Sequence, residues 1–255
     1  MENAKILIGC PTSDHKRYCI QQYLEGVKNI DYDNYDFVLV DNSQANDYIR
    51  EIESYGVKVV KSKYVEPARV RIMESRNLLR KMFLEGDYDY FFSLEQDVVP
   101  PKDVLKRLIS QNKEVISGVY YNIFTNPQTG QQQMRPLVWV SPSEEELEEI
   151  KLGKKGPVPQ QKLLSGEWKR EDMTAQLSVE EVRESKLIEA RMTGIGCMLI
   201  KRNVLEKIQF RHGEGGFDDV YFCDDIISNG WKVMVDTSVK CEHLVQPGAW
   251  GKIKY

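Results

Sequence analysis

The chain has 255 residues, 41% of them hydrophobic, which is enough for one large α/β domain, or one domain with a sizeable insertion, around a real core. A net charge of -4 with no long basic block argues against a general nucleic-acid binder. No apolar run approaches a membrane span and residues 1–5 lead straight into a strand rather than a signal sequence, so the expectation is a cytoplasmic protein with no transmembrane segment, peripheral membrane contact staying open.

In chain order, residues 5–10 read as a strand closed by Pro11-Thr12-Ser13. A helix follows that Ser13 or Asp14 can cap, with Ile20, Tyr23, Leu24 and Val27 at helical spacing. Residues 37–40 form a second strand ending in Asp41-Asn42-Ser43, and a helix with Ile49 and Ile52 precedes a third strand at 57–60. Pro67 opens a longer helix that buries Ile72, Leu79, Met82 and Phe83 and carries Arg69, Arg71 and Arg76. The stretch from Tyr88 to Leu94 is almost continuously apolar and aromatic, as a strand buried on both faces should be. It runs into Glu95-Gln96-Asp97 before Pro100-Pro101 stops it. This alternation predicts a parallel, doubly wound sheet with right-handed crossovers and helices on both faces.

A helix with Val104, Leu105, Leu108 and Ile109 leads to a strand over 115–121, after which the character changes. Residues 126–186 are rich in Gln, Glu, Lys, Gly and Pro, with one clear strand at 137–140 and a solvated helix over 143–150 that Ser143 caps. So long an irregular segment reads as a lid or acceptor loop, with Leu163, Leu164 and Trp168 to bury; disorder is the alternative. Regular structure resumes with strands at 187–192 and 197–200 flanking Thr193-Gly194-Ile195-Gly196, and a helix over 202–208. Gly213-Glu214-Gly215-Gly216 approaches a helix beginning at Asp218-Asp219, and strands at 231–235 and 240–244 finish the chain. Five single cysteines (Cys10, Cys19, Cys197, Cys223, Cys241) without C-x-x-C spacing argue against a zinc site or a disulfide framework and fit a reducing compartment.

The chemistry concentrates at strand ends. In open α/β sheets ligands bind at the carboxyl edge, and Glu95 and Asp97 sit there two residues apart, so both can face one way. Paired oxygen ligands suit a divalent cation that also holds phosphates; a solvated acidic turn is the alternative. Read alone, Asp218 and Asp219 are also helix caps, His243 a backbone-bonded histidine, Arg76 a surface arginine and Gly194 with Gly196 a hairpin turn.

Taken together and in order, these motifs resemble the nucleotide-sugar-dependent glycosyltransferases of the GT-A fold, in particular the large family 2-type group. The resemblance rests on Pro11-Thr12, Asp41-Asn42-Ser43, Ser75-Arg76-Asn77, Glu95-Gln96-Asp97 as a D-x-D-like motif, Gly194-Ile195-Gly196-Cys197, Asp218-Asp219 as an E-D-like motif, and His243, across residues 5 to 245. Two departures stand out: Glu95 replaces the first aspartate of D-x-D, and Asp218 replaces the glutamate of E-D.

The resemblance implies one GT-A domain over 1–255, a Rossmann-like α/β fold with a mostly parallel sheet. Residues 1–122 would form the nucleotide-sugar half, 187–255 the acceptor and catalytic half, and 126–186 the lid-like insertion. It implies a metal-dependent transferase moving a sugar from a UDP- or GDP-linked donor to the hydroxyl of a carbohydrate, lipid-linked or other acceptor. Asp97, His243 and Glu95 would hold Mn²⁺ or Mg²⁺, the imidazole favouring Mn²⁺. Pro11, Thr12, Asp41, Asn42, Arg76, Glu95, Gln96 and Asp97 would bind the nucleotide sugar, with Arg76 on the diphosphate or on the carboxylate loop. Asp219 would be the general base of an inverting reaction, Asp218 its aid, and Gly194, Gly196 and Trp168 would meet the acceptor. Two other readings compete. A non-catalytic nucleotide- or sugar-binding module draws support from Glu95. A sugar-phosphate nucleotidyltransferase would need a Gly-rich basic loop after the first strand, which Gly9-Cys10-Pro11-Thr12-Ser13-Asp14 is not.

Overall fold

The computed structural model describes residues 3–125, 129–152, 174–213 and 217–245. The first half comprises β1 (Ile6–Thr12), a 3-10 helix (Asp14–Cys19) continuing into α1 (Ile20–Lys28), β2 (Tyr35–Asp41), α2 (Asp47–Ser54), β3 (Val59–Lys61), α3 (Ala68–Glu85), β4 (Tyr90–Leu94), β5 (Val98–Val99), α4 (Val104–Ser110) and β6 (Val115–Val119). The second half comprises β7 (Tyr121–Thr125), β8 (Gln132–Pro136), β9 (Val138–Val140), α5 (Glu144–Lys151), β10 (Ala175–Gln176), β11 (Leu187–Ala190), β12 (Met192–Thr193), β13 (Cys197–Lys201), α6 (Arg202–Lys207), α7 (Asp218–Ser228), β14 (Val233–Lys240) and β15 (Glu242–His243).

Alternation along the strands sorts the core into two layers. Ile6, Ile8 and Cys10 of β1 and Tyr90, Phe92 and Leu94 of β4 meet α1, α2 and α4 on one face; Leu7 and Phe91 meet α3, α6 and α7 on the other. The central sheet runs β11-β14-β6-β13-β4-β1-β2-β3. Pairings β1-β2, β1-β4, β2-β3 and β6-β14 are parallel, so the doubly wound reading of the first half holds. The second half differs from a purely parallel sheet: β13 lies antiparallel between β4 and β6, and β11 antiparallel beside β14. Strand direction leaves no mark on local composition, so the sequence reading could not see this.

Two expected strands are each broken. The strand expected over 115–121 divides at Tyr120, which tucks inward at 2% exposure, and the one over 187–192 divides at Arg191. Part of the expected lid is core: β9 joins β10 and β12 in a small sheet, and Val138, Leu177 and Val182 are buried against the main sheet. Ser143 caps α5 as expected, its hydroxyl accepting from the Glu146 N–H while Glu146 accepts from the Ser143 N–H. Leu163, Leu164, Trp168 and Gly215 lie outside the described residues. All five cysteines are buried free thiols, and among the described residues no helix is long and apolar enough to cross a membrane.

Candidate active site

The parallel strands β1, β2 and β4 all end at one edge, and the loops leaving them form a pocket lined by Pro11, Thr12, Ser13, His15, Lys16, Asn42, Arg71, Arg76, Glu95, Gln96 and Asp97. One turn of α3, Ser75-Arg76-Asn77, ties its loops together. Ser75 Oγ accepts from Asn42 Nδ2 (3.2 Å) in the loop after β2. Asn77 makes a two-way amide pair with the backbone of Phe210, donating to its carbonyl (2.8 Å) and accepting from its N–H (3.0 Å).

Arg76 is the centre of this turn. Its side chain is 4% exposed and reaches Glu95 Oε1 (2.5 Å), Ser93 Oγ (2.9 Å) and Asp218 Oδ2 (2.6 Å), the last as an ion pair whose N–H is not aimed along the contact. Burial opposes its charge, but Asp218 and Glu95 outweigh that and hold the guanidinium firmly protonated. Arg76 is thus a buried residue rather than a surface arginine, and its guanidinium ties the carboxylate loop to the start of α7. Glu95 and Asp97, two residues apart, have parted company: Glu95 faces Arg76, whereas Asp97 faces Lys16 and His243.

Asp97 is placed by a two-stranded ribbon. β15 pairs antiparallel with β5, opposing His243 to Val98, and the Leu244 N–H bonds the Asp97 carbonyl at 2.7 Å. His243 Nε2 consequently lies 3.2 Å from Asp97 Oδ2, while Nδ1 sits 2.7 Å from the Tyr121 carbonyl, which only Nδ1–H can satisfy. The Lys16 ammonium bonds the same Oδ2. Burial raises the Asp97 pKa, but the His243 hydrogen bond and Lys16 overcome it and bring the carboxyl down to about 2. Burial likewise opposes the charged imidazole, yet Asp97 and the Tyr121 carbonyl hold the His243 pKa above its usual value.

This pair fits a divalent cation. Two ligands about 2.1 Å from one ion at a right angle lie about 3 Å apart, close to the observed separation of carboxylate oxygen and imidazole nitrogen. Oδ2 already attracts an ammonium, and Nε2 is the nitrogen left for a ligand. Glu95 does not join them: among the described residues no three His, Cys, Asp or Glu side chains converge on one point. A metal held here would have Asp97 and His243 as its ligands among the described residues and would need oxygen ligands from phosphate or water to complete its shell.

The opposite wall is built by α7 and the glycine segment. Phe217 caps α7 without a side-chain bond, so neither aspartate is the cap; Asp218 goes to Arg76, and Asp219 accepts from the neighbouring Val220 N–H (2.8 Å). Burial, then the charges of Asp218 and Glu95, push the Asp219 carboxyl up to about 6. Asp224 pairs with Arg191 and Asp225 takes a bidentate Arg211, so both are structural surface charges.

Gly194 and Gly196 make room for a side chain of the protein itself. The Gly196 N–H donates to Tyr120 Oη (2.9 Å), and a Cβ on Gly196 would lie 2.7 Å from that oxygen and 2.9 Å from Glu95 Oε2. Tyr120 also packs edge-on against the His243 ring, centroids 5.2 Å apart, so it joins the glycine segment to the Asp97–His243 pair. We expect Gly196→Ala to push Tyr120 aside and lower stability by about 1–3 kcal/mol, read as a drop in thermal midpoint.

The remaining expected nucleotide contacts are partly spoken for. Asp41 is fully buried, its oxygens taken by Ser43 and by Lys61 Nζ (2.6 Å). Gln96 donates to the Lys16 carbonyl (2.8 Å) and to Tyr48 Oη, bracing the loop. Pro11, Thr12 and Asn42 line the pocket. Sequence reasoning missed Lys16 and Tyr120. Nothing local distinguishes Lys16 from its neighbours, and the only trace of Tyr120 is an aromatic where a strand breaks.

No protein-family model matches the chain, and no curated protein matches it. Solved structures do share its fold. TarS from S. aureus is 14% identical over 96% of this chain and 38% of that one, with a TM-score of 0.56. GalNAc-T7, solved with UDP, GalNAc and Mn²⁺, is 11% identical over 97% and 45% (TM-score 0.59). The mannosyltransferase PcManGT from Pyrobaculum calidifontis, solved with GDP-Man and Mn²⁺, is 14% identical over 97% and 60% (TM-score 0.55). The chain spans about two fifths to three fifths of these proteins, and at such identity the likeness carries the architecture, which is the GT-A fold expected from the sequence.

Proposed function

We propose that the protein is a metal-dependent glycosyltransferase that moves a sugar from a nucleoside-diphosphate donor to an acceptor hydroxyl with inversion. The observation that carries this reading is the division of labour among four carboxylates at one sheet edge. Asp97 is ionised and aimed with His243 at a cation point, Glu95 and Asp218 are locked to Arg76, and Asp219, with no cationic partner of its own among the described residues, has its pKa raised to about 6. A base poised near the working pH is what deprotonation of a hydroxyl requires, and a module that only binds would gain nothing from holding a buried carboxylate at about 6.

Asp97 and His243 would hold Mn²⁺ or Mg²⁺, which when bound supplies a Lewis acid for the departing diphosphate. Pro11, Thr12 and Asn42 would bound the nucleotide, and Arg76 would keep Glu95 and the α7 terminus in register so that Asp219 meets the acceptor oxygen. UDP with GalNAc in one structure of like fold and GDP-Man in another support that donor class for this chain without choosing between them. The acceptor is a carbohydrate, lipid-linked or other hydroxyl compound.

Calorimetric titration with UDP-, GDP- and dTDP-sugars, with Mn²⁺ and after chelation, tests the reading. One nucleotide class should bind, at least about tenfold more tightly with metal, and Asp97→Asn should bring that affinity down to the chelated level. Absence of nucleotide binding under every condition would refute the assignment. Anomeric configuration of the product, read by NMR, tests inversion.

A further inference from the structure

We propose that Lys16 and the divalent ion exclude one another at Asp97, so that metal entry requires a diphosphate to take over the displaced ammonium. The inference rests on the metal and nucleotide reading above and adds to it a residue and an order of events.

Asp97 is 2% exposed, and a carboxylate so buried needs a counter-charge at all times. Its Oδ2 carries two bonds, one from the Lys16 ammonium and one shared with His243 Nε2, and a carboxylate oxygen has room for about two. A metal bound by Oδ2 and Nε2 needs that same oxygen. A dication and an ammonium cannot both rest on it, because they repel at contact distance in a partly buried site.

Lys16 is built to leave. Its backbone is fixed: the N–H bonds the Ser13 carbonyl (2.8 Å), and its own carbonyl accepts from Gln96 Nε2 (2.8 Å). The charge sits at the end of a four-carbon stem, which can swing without moving the chain. It swings within the pocket whose walls include Ser13, Asn42 and Arg71. Arg76, in the same pocket, is held by two carboxylates and Ser93, so it does not serve as the mobile cation. A diphosphate in the pocket therefore offers Lys16 a new anion as the metal takes over its old one, and the two ligands reinforce each other. Linkage requires the effect to be reciprocal.

The test is Mn²⁺ binding followed by electron paramagnetic resonance, for wild type and Lys16→Met, with and without UDP or GDP. Wild type should bind Mn²⁺ at least about tenfold more tightly in the presence of the diphosphate. Lys16→Met should bind Mn²⁺ alone about tenfold more tightly than wild type, and the nucleotide should then add little. Unchanged or weaker nucleotide-free Mn²⁺ binding in Lys16→Met overturns the proposal while leaving the metal and nucleotide reading intact. Loss of both Mn²⁺ and nucleotide binding in wild type itself overturns both. Lys16→Gln serves as the second variant, and the wild-type comparison stands without either: equal Mn²⁺ affinity with and without the diphosphate defeats the exclusion.

Discussion

Asp219→Asn is expected to lower the turnover number for sugar transfer by about 10²- to 10⁴-fold while leaving donor affinity unchanged. Asparagine keeps the shape and the bond to the Val220 N–H but cannot accept a proton. The pH dependence follows from the carboxyl's position at about 6. The base works when ionised, so kcat/KM should be level above pH 6 and fall about tenfold per unit below it. Stability should move the other way. The folded-state pKa lies above the ordinary value of 3.8, so the group favours the fold fully below pH 3.8, and this contribution is lost as pH rises through about 6. At pH 7 the substitution should therefore raise stability by about 1–3 kcal/mol, allowing for partial exposure. A variant inactive yet more stable identifies a functional carboxylate; one that loses activity together with stability would make Asp219 a structural residue.

Arg76→Ala is expected to cost about 3–5 kcal/mol, the largest stability loss we anticipate from a polar substitution in this protein. The loss is larger than that of one ion pair because Glu95 and the buried Asp218 are both left without the guanidinium. Arg76→Lys keeps the charge but loses the fork that reaches Glu95, Ser93 and Asp218 at once, so it should recover only part of the loss. Urea unfolding measures both, as a lower midpoint at unchanged slope. Because Arg76 also holds the Asp219 pKa down, the acid limb of the rate profile should shift to higher pH in whichever variant folds well enough to assay. A midpoint within experimental error of wild type would mean that Glu95 and Asp218 do not depend on this arginine.

How much of this was legible in the sequence varies from residue to residue. The first-half alternation was legible because a strand buried on both faces reads as a short continuous apolar run and an amphipathic helix repeats its apolar residues every three to four positions. The edge bearing Pro11, Asn42 and Asp97 followed from that alternation, since parallel strands with crossover helices all end on the same side. The antiparallel insertion of β13 and the inward turn of Tyr120 left no periodic trace.

The carboxylates mark the boundary most clearly. Glu95 and Asp97 look equivalent in the chain, as do Asp218 and Asp219. What separates each pair is a partner far away in sequence: Arg76 from α3 takes Glu95 and Asp218, while His243 from β15 and Lys16 from the turn after β1 take Asp97. Asp219 titrates at about 6 because it is buried beside the charges of Asp218 and Glu95, and among the described residues it has no cation of its own. The sequence alone determined which elements form and which acidic residues gather at one sheet edge, because periodicity and strand-end chemistry are local properties of the chain. Only the tertiary structure decided which of those acids is paired with a cation and which can take a proton, because charge is settled by burial and by partners that only folding brings within reach.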